Sequence, residues 1–84
     1  MKLKVSSKAA RQLRRLKYNT ALLERLHAAF LEIVADPYQG KSLEGVYEGV
    51  RSWRVGDWRI LYRVYQRQLI ILIIEVAHRR EAYR

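Results

Sequence analysis

The sequence predicts an α+β domain: a helical hairpin packed on one face of a twisted, mainly antiparallel four-stranded sheet, ending in a short basic tail. Three observations carry this. Gly56-Asp57 separates two runs rich in aromatic and branched residues, the signature of a β-hairpin. Apolar residues recur at helical spacing across residues 8–17 and again across residues 22–34. An uninterrupted apolar run over residues 69–74 then marks a strand covered on both faces, or nearly so.

In chain order, Lys2-Leu3-Lys4-Val5 alternates polar and apolar residues, as a strand with one buried face does. Ser6 or Ser7 offers an N-cap for the first helix. Ala9, Leu13 and Leu16 fall on one side of it, and Arg11, Arg14 and Arg15 lie away from them. The first 23 residues hold seven Lys or Arg and no acid. That basic face reads first as a solvated helix surface, and alternatively as part of a contact surface for nucleic acid or a partner protein. Asn19 or Thr20 caps the second helix, with Glu24 favourably placed in its first turn. Leu23, Leu26, Phe30 and Ile33 form its core stripe, widened by Leu22 and Val34. His27 is placed among these core positions as a satisfied helix residue. Asp36 ends the helix, because the residue before a proline avoids the α region. Residues 37–49 read as a connecting loop, with Lys41-Ser42-Leu43 tucked against the core.

The hairpin over residues 50–64 organises the rest. A Gly-first two-residue loop suits a type II′ turn, and the pairing follows from it. Val55 lies opposite Trp58, Arg54 opposite Arg59, Trp53 opposite Ile60 and Ser52 opposite Leu61. Alternation then assigns Trp53, Val55, Trp58, Ile60, Tyr62 and Val64 to a buried face. The other face carries Ser52, Arg54, Arg59 and Arg63, relieved only by Val50 and Leu61. Like charges directly opposite one another destabilise a sheet, so Arg54 facing Arg59 is a cost to the fold. A bound polyanion would offset it; otherwise both guanidiniums splay into solvent. A loop near Arg67 makes the 69–74 strand antiparallel to its predecessor. If that loop has three residues, Glu75 joins Arg59 and Arg63 on the polar face. The tail, E-V-A-H-R-R-E-A-Y-R, follows directly. Were it to turn helical after Ala77, Arg79 and Tyr83 would share one face.

Composition narrows the function. The 84 residues make one small domain, 1–84, and half of them are hydrophobic, which argues against disorder. A net charge of +9 and a pI near 10.4 point to an acidic partner, nucleic acid first. The absence of cysteine excludes disulfides and thiolate metal sites, and two histidines exclude a histidine-rich one. No signal peptide is visible and no apolar run is long enough to span a bilayer, so a cytoplasmic protein without membrane contact is expected.

The element order, with R-V-G-D-W-R-I-L-Y in the hairpin and A-H-R-R-E-A-Y-R at the end, resembles the RelE/ParE superfamily of bacterial and archaeal toxins over essentially the whole chain. The H-R-R-E-x-Y ending is closer to RelE than to ParE, whose members act on DNA gyrase. The resemblance implies a RelE-like fold and a toxin of a type II toxin–antitoxin system. It implies a metal-independent, cofactor-free endoribonuclease that cuts mRNA in the ribosomal A site, the 2′-hydroxyl attacking the adjacent phosphate. Alternatives are a ParE-like gyrase inhibitor, or a degenerate member that only binds RNA or its antitoxin. The implied partners are a cognate antitoxin and mRNA on the ribosome with 16S rRNA contacts; operator DNA would be reached only through the antitoxin.

The resemblance also implies roles for residues, and the chemistry suits them. Such a cut needs charge stabilisation on a five-coordinate phosphate, a proton acceptor and a proton donor. Arginine matches phosphate oxygens with a fork of donors. Arg59 takes the position of the phosphate-stabilising arginine. Arg79 corresponds to the tail arginine assigned to leaving-group protonation or electrostatic assistance, and Tyr83 to the tail tyrosine acting as base or stacking on a base. Arg51, Arg54, Arg63, His78 and Arg80 are the expected RNA-binding residues; His78 would exchange a proton, stack on a base or simply end the strand. The chain departs from the family pattern at Ala77, where glycine is common, and at Ser52, where a basic residue often stands.

Overall fold

The computed structural model describes residues 1–80; residues 81–84, Tyr83 among them, lie outside the described part. The elements are β1 (Lys2–Val5), α1 (Ser7–Arg15), α2 (Thr20–Ala35), β2 (Lys41–Ser42), a 3₁₀ turn (Gly45–Tyr47), β3 (Arg51–Val55), β4 (Trp58–Tyr65) and β5 (Ile70–His78). The sheet order is β1-β5-β4-β3-β2, with β1 parallel to β5 and every other pair antiparallel.

Local chemistry accounts for both helices. The Ser6 hydroxyl accepts the Ala9 N–H at 3.0 Å, and the Asn19 carboxamide accepts the Leu22 N–H at 3.2 Å. Each satisfies one of the donors that a helix N-terminus leaves free. Arg14 and Arg15 occupy the last turn of α1, where the helix dipole favours cations. Asp36 caps α2 just before Pro37. Among the described residues, no helix is long and apolar enough to cross a membrane.

Both helices share one core with one face of the sheet. Ala9 of α1 and Leu22, Leu26, Ala29, Phe30 and Ile33 of α2 meet Val55, Ile60, Tyr62, Ile71, Ile73 and Val76. The expected α2 stripe is thus rotated slightly: Ala29 is buried, Leu23 is half-buried and His27 is exposed. His27 therefore leaves the core set, because Leu22 and Leu26 set the phase that seals the sheet. Trp53 and Trp58 lie on the helix side as expected but are only partly covered, at the rim of the core.

The hairpin register is the expected one, from Val55 opposite Trp58 to Ser52 opposite Leu61. Gly56 has φ +59 while Asp57 stays out of the left-handed region, which is the type II′ arrangement. The sheet differs from expectation in four places. It has five strands, because Lys41–Ser42 pairs with Ser52 and Arg51 instead of forming plain loop. Two residues are too few for any periodicity to show. The β4–β5 loop spans four residues, 66–69, with Tyr65 opposite Ile70. A register shift then intervenes: Tyr62 faces Ile73 but Leu61 faces Glu75. Without that bulge at Ile74, the simple register would set Glu75 across from Ile60 in the core. The extra residue restores Val76 to the core and Glu75 to the open face. Finally, β5 runs on through His78 and gives way to a turn at Arg79-Arg80, so the tail does not become helical directly after Ala77.

β1 ends opposite Ile73, which leaves the rest of the β5 edge without a strand partner. Side chains of the α1 segment substitute. The Ser6 hydroxyl donates to the Ile74 carbonyl at 2.6 Å, and the Gln12 side-chain oxygen accepts the Val76 N–H at 2.7 Å. Lys8 forms an ion pair with Glu75. These contacts hold α1 along the sheet edge and leave the opposite sheet face uncovered by helix.

Candidate functional site: an arginine groove on the open sheet face

The uncovered face carries the side chains that alternate with the core. Arg54 and Arg59 face each other one pair in from the hairpin turn, and Ala77 continues the row on β5. In a two-residue hairpin that second pair exchanges no backbone hydrogen bonds, so its Cα atoms approach to about 4.5 Å and its side chains crowd. Arg54 is exposed, and its Nε donates to the Gly56 carbonyl at 3.0 Å. Arg59 is half-buried and, among the described residues, makes no hydrogen bond or ion pair through its guanidinium.

These two arginines form one wall of a groove of about 490 Å³ whose other lining residues are Lys41, Leu43 and Ser52. Lys41 pairs with Ser52 and so shares its face, which adds a third cation. Lys41 is a functional candidate that the sequence reading placed only as loop. A strand of two residues carries no periodicity, so no local signal marks it; pairing with Ser52 and Arg51 is what brings it in. Ser52 is buried at the groove floor, opposite Leu61. A serine there leaves room between the cations where a longer basic side chain would fill the groove.

The other sequence-derived candidates divide. Arg51 stands on the helix-side face, opposite Tyr62, and not beside Arg54. Its Nη1 donates to the carbonyls of Tyr38 at 3.0 Å and Gly40 at 2.8 Å, and its guanidinium lies 5.1 Å from the Tyr38 ring centre. It binds the loop after α2 to the sheet. Arg63 is on the open face, but Nη2 reaches the Glu48 carbonyl at 3.5 Å. Gly49, at φ +87, lets the loop close over that guanidinium. His78 is opposite Trp58 on the helix side, the rings edge to face with centres 5.7 Å apart. Its Nδ1 accepts the Arg80 N–H at 3.3 Å. Arg79 is tied to the hairpin tip: its N–H donates to the Asp57 carbonyl at 2.7 Å, and its Nε lies 3.9 Å from an Asp57 carboxylate oxygen. The structure thus gathers Arg54, Arg59 and Lys41 in the groove and Arg79 at the same end of the sheet. Arg51 and His78 sit on the other side, and Tyr83 lies outside the described residues.

One shifted titration is resolved near this region. Burial pushes the Tyr62 phenol up, while a Gly40 backbone hydrogen bond and the nearby Arg51 charge pull the other way. Tyr62 donates to the Pro37 carbonyl at 2.7 Å, which fixes the loop that carries Lys41.

Comparison with known proteins agrees with this architecture. Residues 3–83 match the family described as ParE toxin of type II toxin-antitoxin system, parDE. The chain is 34% identical over 86 aligned positions to Toxin RelE of Mycobacterium tuberculosis, covering 95% of this chain and 82% of that protein. Among solved structures it superposes on the RelBE2 toxin–antitoxin complex of Mycobacterium tuberculosis with a TM-score of 0.75 and 29% identity, over 92% of this chain and 95% of that one. The YoeB/ParE toxin of Agrobacterium tumefaciens shares the fold at a TM-score of 0.82 and 20% identity, over 93% and 98% of the two chains. The toxin in the intact E. coli RelBE complex does so at 0.79 and 20%, over 92% and 94%. This chain is therefore a toxin of a type II toxin–antitoxin system and a member of the RelE/ParE superfamily.

Proposed function

We propose that this toxin is a ribosome-dependent endoribonuclease that cuts mRNA by attack of a ribose 2′-hydroxyl on the adjacent phosphate. The observation that carries the reading is the opposed Arg54–Arg59 pair beside Lys41, three cations lining one groove with the Arg59 guanidinium unengaged among the described residues. In the reaction the 2′-oxygen bonds to phosphorus and the bond from phosphorus to the 5′-oxygen breaks. The products are a 2′,3′-cyclic phosphate and a free 5′-hydroxyl. Arg59 is the residue for the charge that builds on the five-coordinate phosphorus, and preorganised donors there give the largest single gain. Arg54 and Lys41 hold flanking phosphates. Arg79 serves the leaving oxygen, and Tyr83 takes the 2′-hydroxyl proton or stacks on a base. A cognate antitoxin is the natural inhibitor, since similar toxins were solved bound to theirs.

The match to a ParE family model favours one second reading, inhibition of DNA gyrase without catalysis. Inducing the toxin in growing cells separates the two. Translation arrest with discrete cuts inside translated mRNA is the expected result. DNA damage with intact mRNA would replace the ribonuclease reading with the gyrase one.

A further inference from the structure

The tip of the β3–β4 hairpin and the end of β5 are tied together at consecutive residues. The Asp57 carbonyl accepts the Arg79 N–H at 2.7 Å, and the Asp57 carboxylate lies 3.9 Å from Arg79 Nε. Next to them the Trp58 and His78 rings meet edge to face, and Arg80 N–H closes back on His78 Nδ1. Two residues before Arg79, Ala77 stands directly opposite Arg59. The tie therefore brings Arg79 to the groove end of the sheet, beyond the last strand pair.

The ion pair itself does little for stability. Its side chains are 58% and 62% exposed, and a pair so hydrated, at that separation, contributes little to folding. What the placement shows is which edge of the guanidinium lies toward the carboxylate, the Nε edge. A guanidinium presents two bidentate edges, one through Nε and one through its two terminal nitrogens. A carboxylate on the Nε side leaves the terminal edge free for phosphate oxygens.

We propose that Asp57 is a positioning residue: it holds Arg79 by its Nε side so that the terminal nitrogens face the RNA phosphate. This rests on the assignment of Arg79 to the cleavage site made above. The competing account is that Asp57 merely suits a tight turn. Asn suits the turn equally well and has the same size, so Asp57→Asn isolates the carboxylate.

The test uses the full-length toxin on ribosomes programmed with mRNA, measuring single-turnover cleavage and ribosome affinity separately, with thermal melting alongside. For Asp57→Asn the cleavage rate should fall on the order of 10-fold, a coupling of the size seen between contacting residues. Affinity should hold or tighten, because a negative charge has left a polyanion-binding face, and the melting temperature should not move. Asp57→Glu should recover most of the rate, and Asp57→Asn should add nothing in an Arg79→Ala background. Wild-type cleavage by Asp57→Asn, or an equal loss with and without Arg79, overturns the proposal. A second readout does not depend on cleavage: the NMR resonance of Arg79 Nε–H should shift in Asp57→Asn. If the wild-type toxin fails to cut mRNA, the ribonuclease reading falls, and an unmoved Nε–H resonance would sink the positioning role as well.

Discussion

Arg54 stands directly opposite Arg59 across the β3–β4 ladder, in the kind of strand pair that brings facing side chains closest. The repulsion is not relieved by any acid on the same row, since Ala77 is the next residue across β5. The fold carries this charge crowding at the point where an anion would gain most from it. For Arg59→Ala, stability should stay within about 0.5 kcal/mol of wild type or rise slightly, because a like-charge contact is removed. Cleavage should drop by a factor on the order of 100 or more. Thermal melting and single-turnover cleavage on programmed ribosomes measure the two together. Full activity in a well-folded Arg59→Ala protein would refute the assigned role.

Lys41 and Arg54 line the same groove from β2 and β3. If each neutralises one phosphate of a single strand, log affinity plotted against log salt should lose about 0.7 from its slope for each of Lys41→Gln and Arg54→Gln. Arg51→Gln should leave that slope nearly unchanged, because Arg51 is engaged by the Tyr38 and Gly40 carbonyls on the other face. RNA binding titrated from low to high salt decides the matter, and equal slopes for all three would count against the groove.

Gly40 lies against Tyr62, and a methyl group added there would collide with the phenol oxygen. Tyr62 is fully buried and cannot step aside. Gly40→Ala should therefore cost on the order of 1–3 kcal/mol, as overpacking usually does. Denaturant melts give the number; an unchanged midpoint would contradict the packing described.

The same tyrosine sets an alkaline limit. Its folded pKa is raised above the unfolded value of about 10, chiefly by burial. The stabilisation is fully present below about pH 10 and is lost as pH rises through the folded pKa, because only the unfolded chain ionises readily. Tyr62→Phe should be less stable at neutral pH for want of the Pro37 hydrogen bond, yet show a shallower decline at high pH. Parallel stability profiles for the two proteins would argue against the shift.

Leu69 has φ +56, the one non-glycine residue in the left-handed region among those described, and its side chain is largely exposed. Its carbonyl accepts the Lys2 N–H at 2.7 Å, so the strained turn also seats β1. The left-handed conformation costs an L-residue about 1–2 kcal/mol. Leu69→Gly should stabilise by about 0.5 kcal/mol once the added freedom of the unfolded glycine is set against that relief. An equilibrium urea melt tests it, with destabilisation as the contrary result.

How much of this was legible in the sequence varies with the range of the forces involved. The hairpin register was readable because Gly56-Asp57 fixes the turn type and the turn fixes every pair outward from it. The helix starts were readable to within a residue, as Ser6 or Ser7 and Asn19 or Thr20, and the end of α2 at Asp36, because caps and a following proline act on backbone groups within a few residues. From these local facts follow the fold class, the arginine face with Arg54 against Arg59, and the family resemblance. Tertiary structure alone decided the rest, since each remaining feature depends on a distant partner. Lys41 enters the groove only because a two-residue strand finds Ser52. Glu75 keeps to the open face only because a bulge at Ile74 corrects the phase of β5. Arg51 leaves the candidate site because carbonyls from the loop after α2 capture it, and Arg79 meets Asp57 because β5 returns along β4 to the hairpin tip. Periodicity and capping are written along the chain; which side chain a carbonyl or a cation meets across the sheet is settled only by packing.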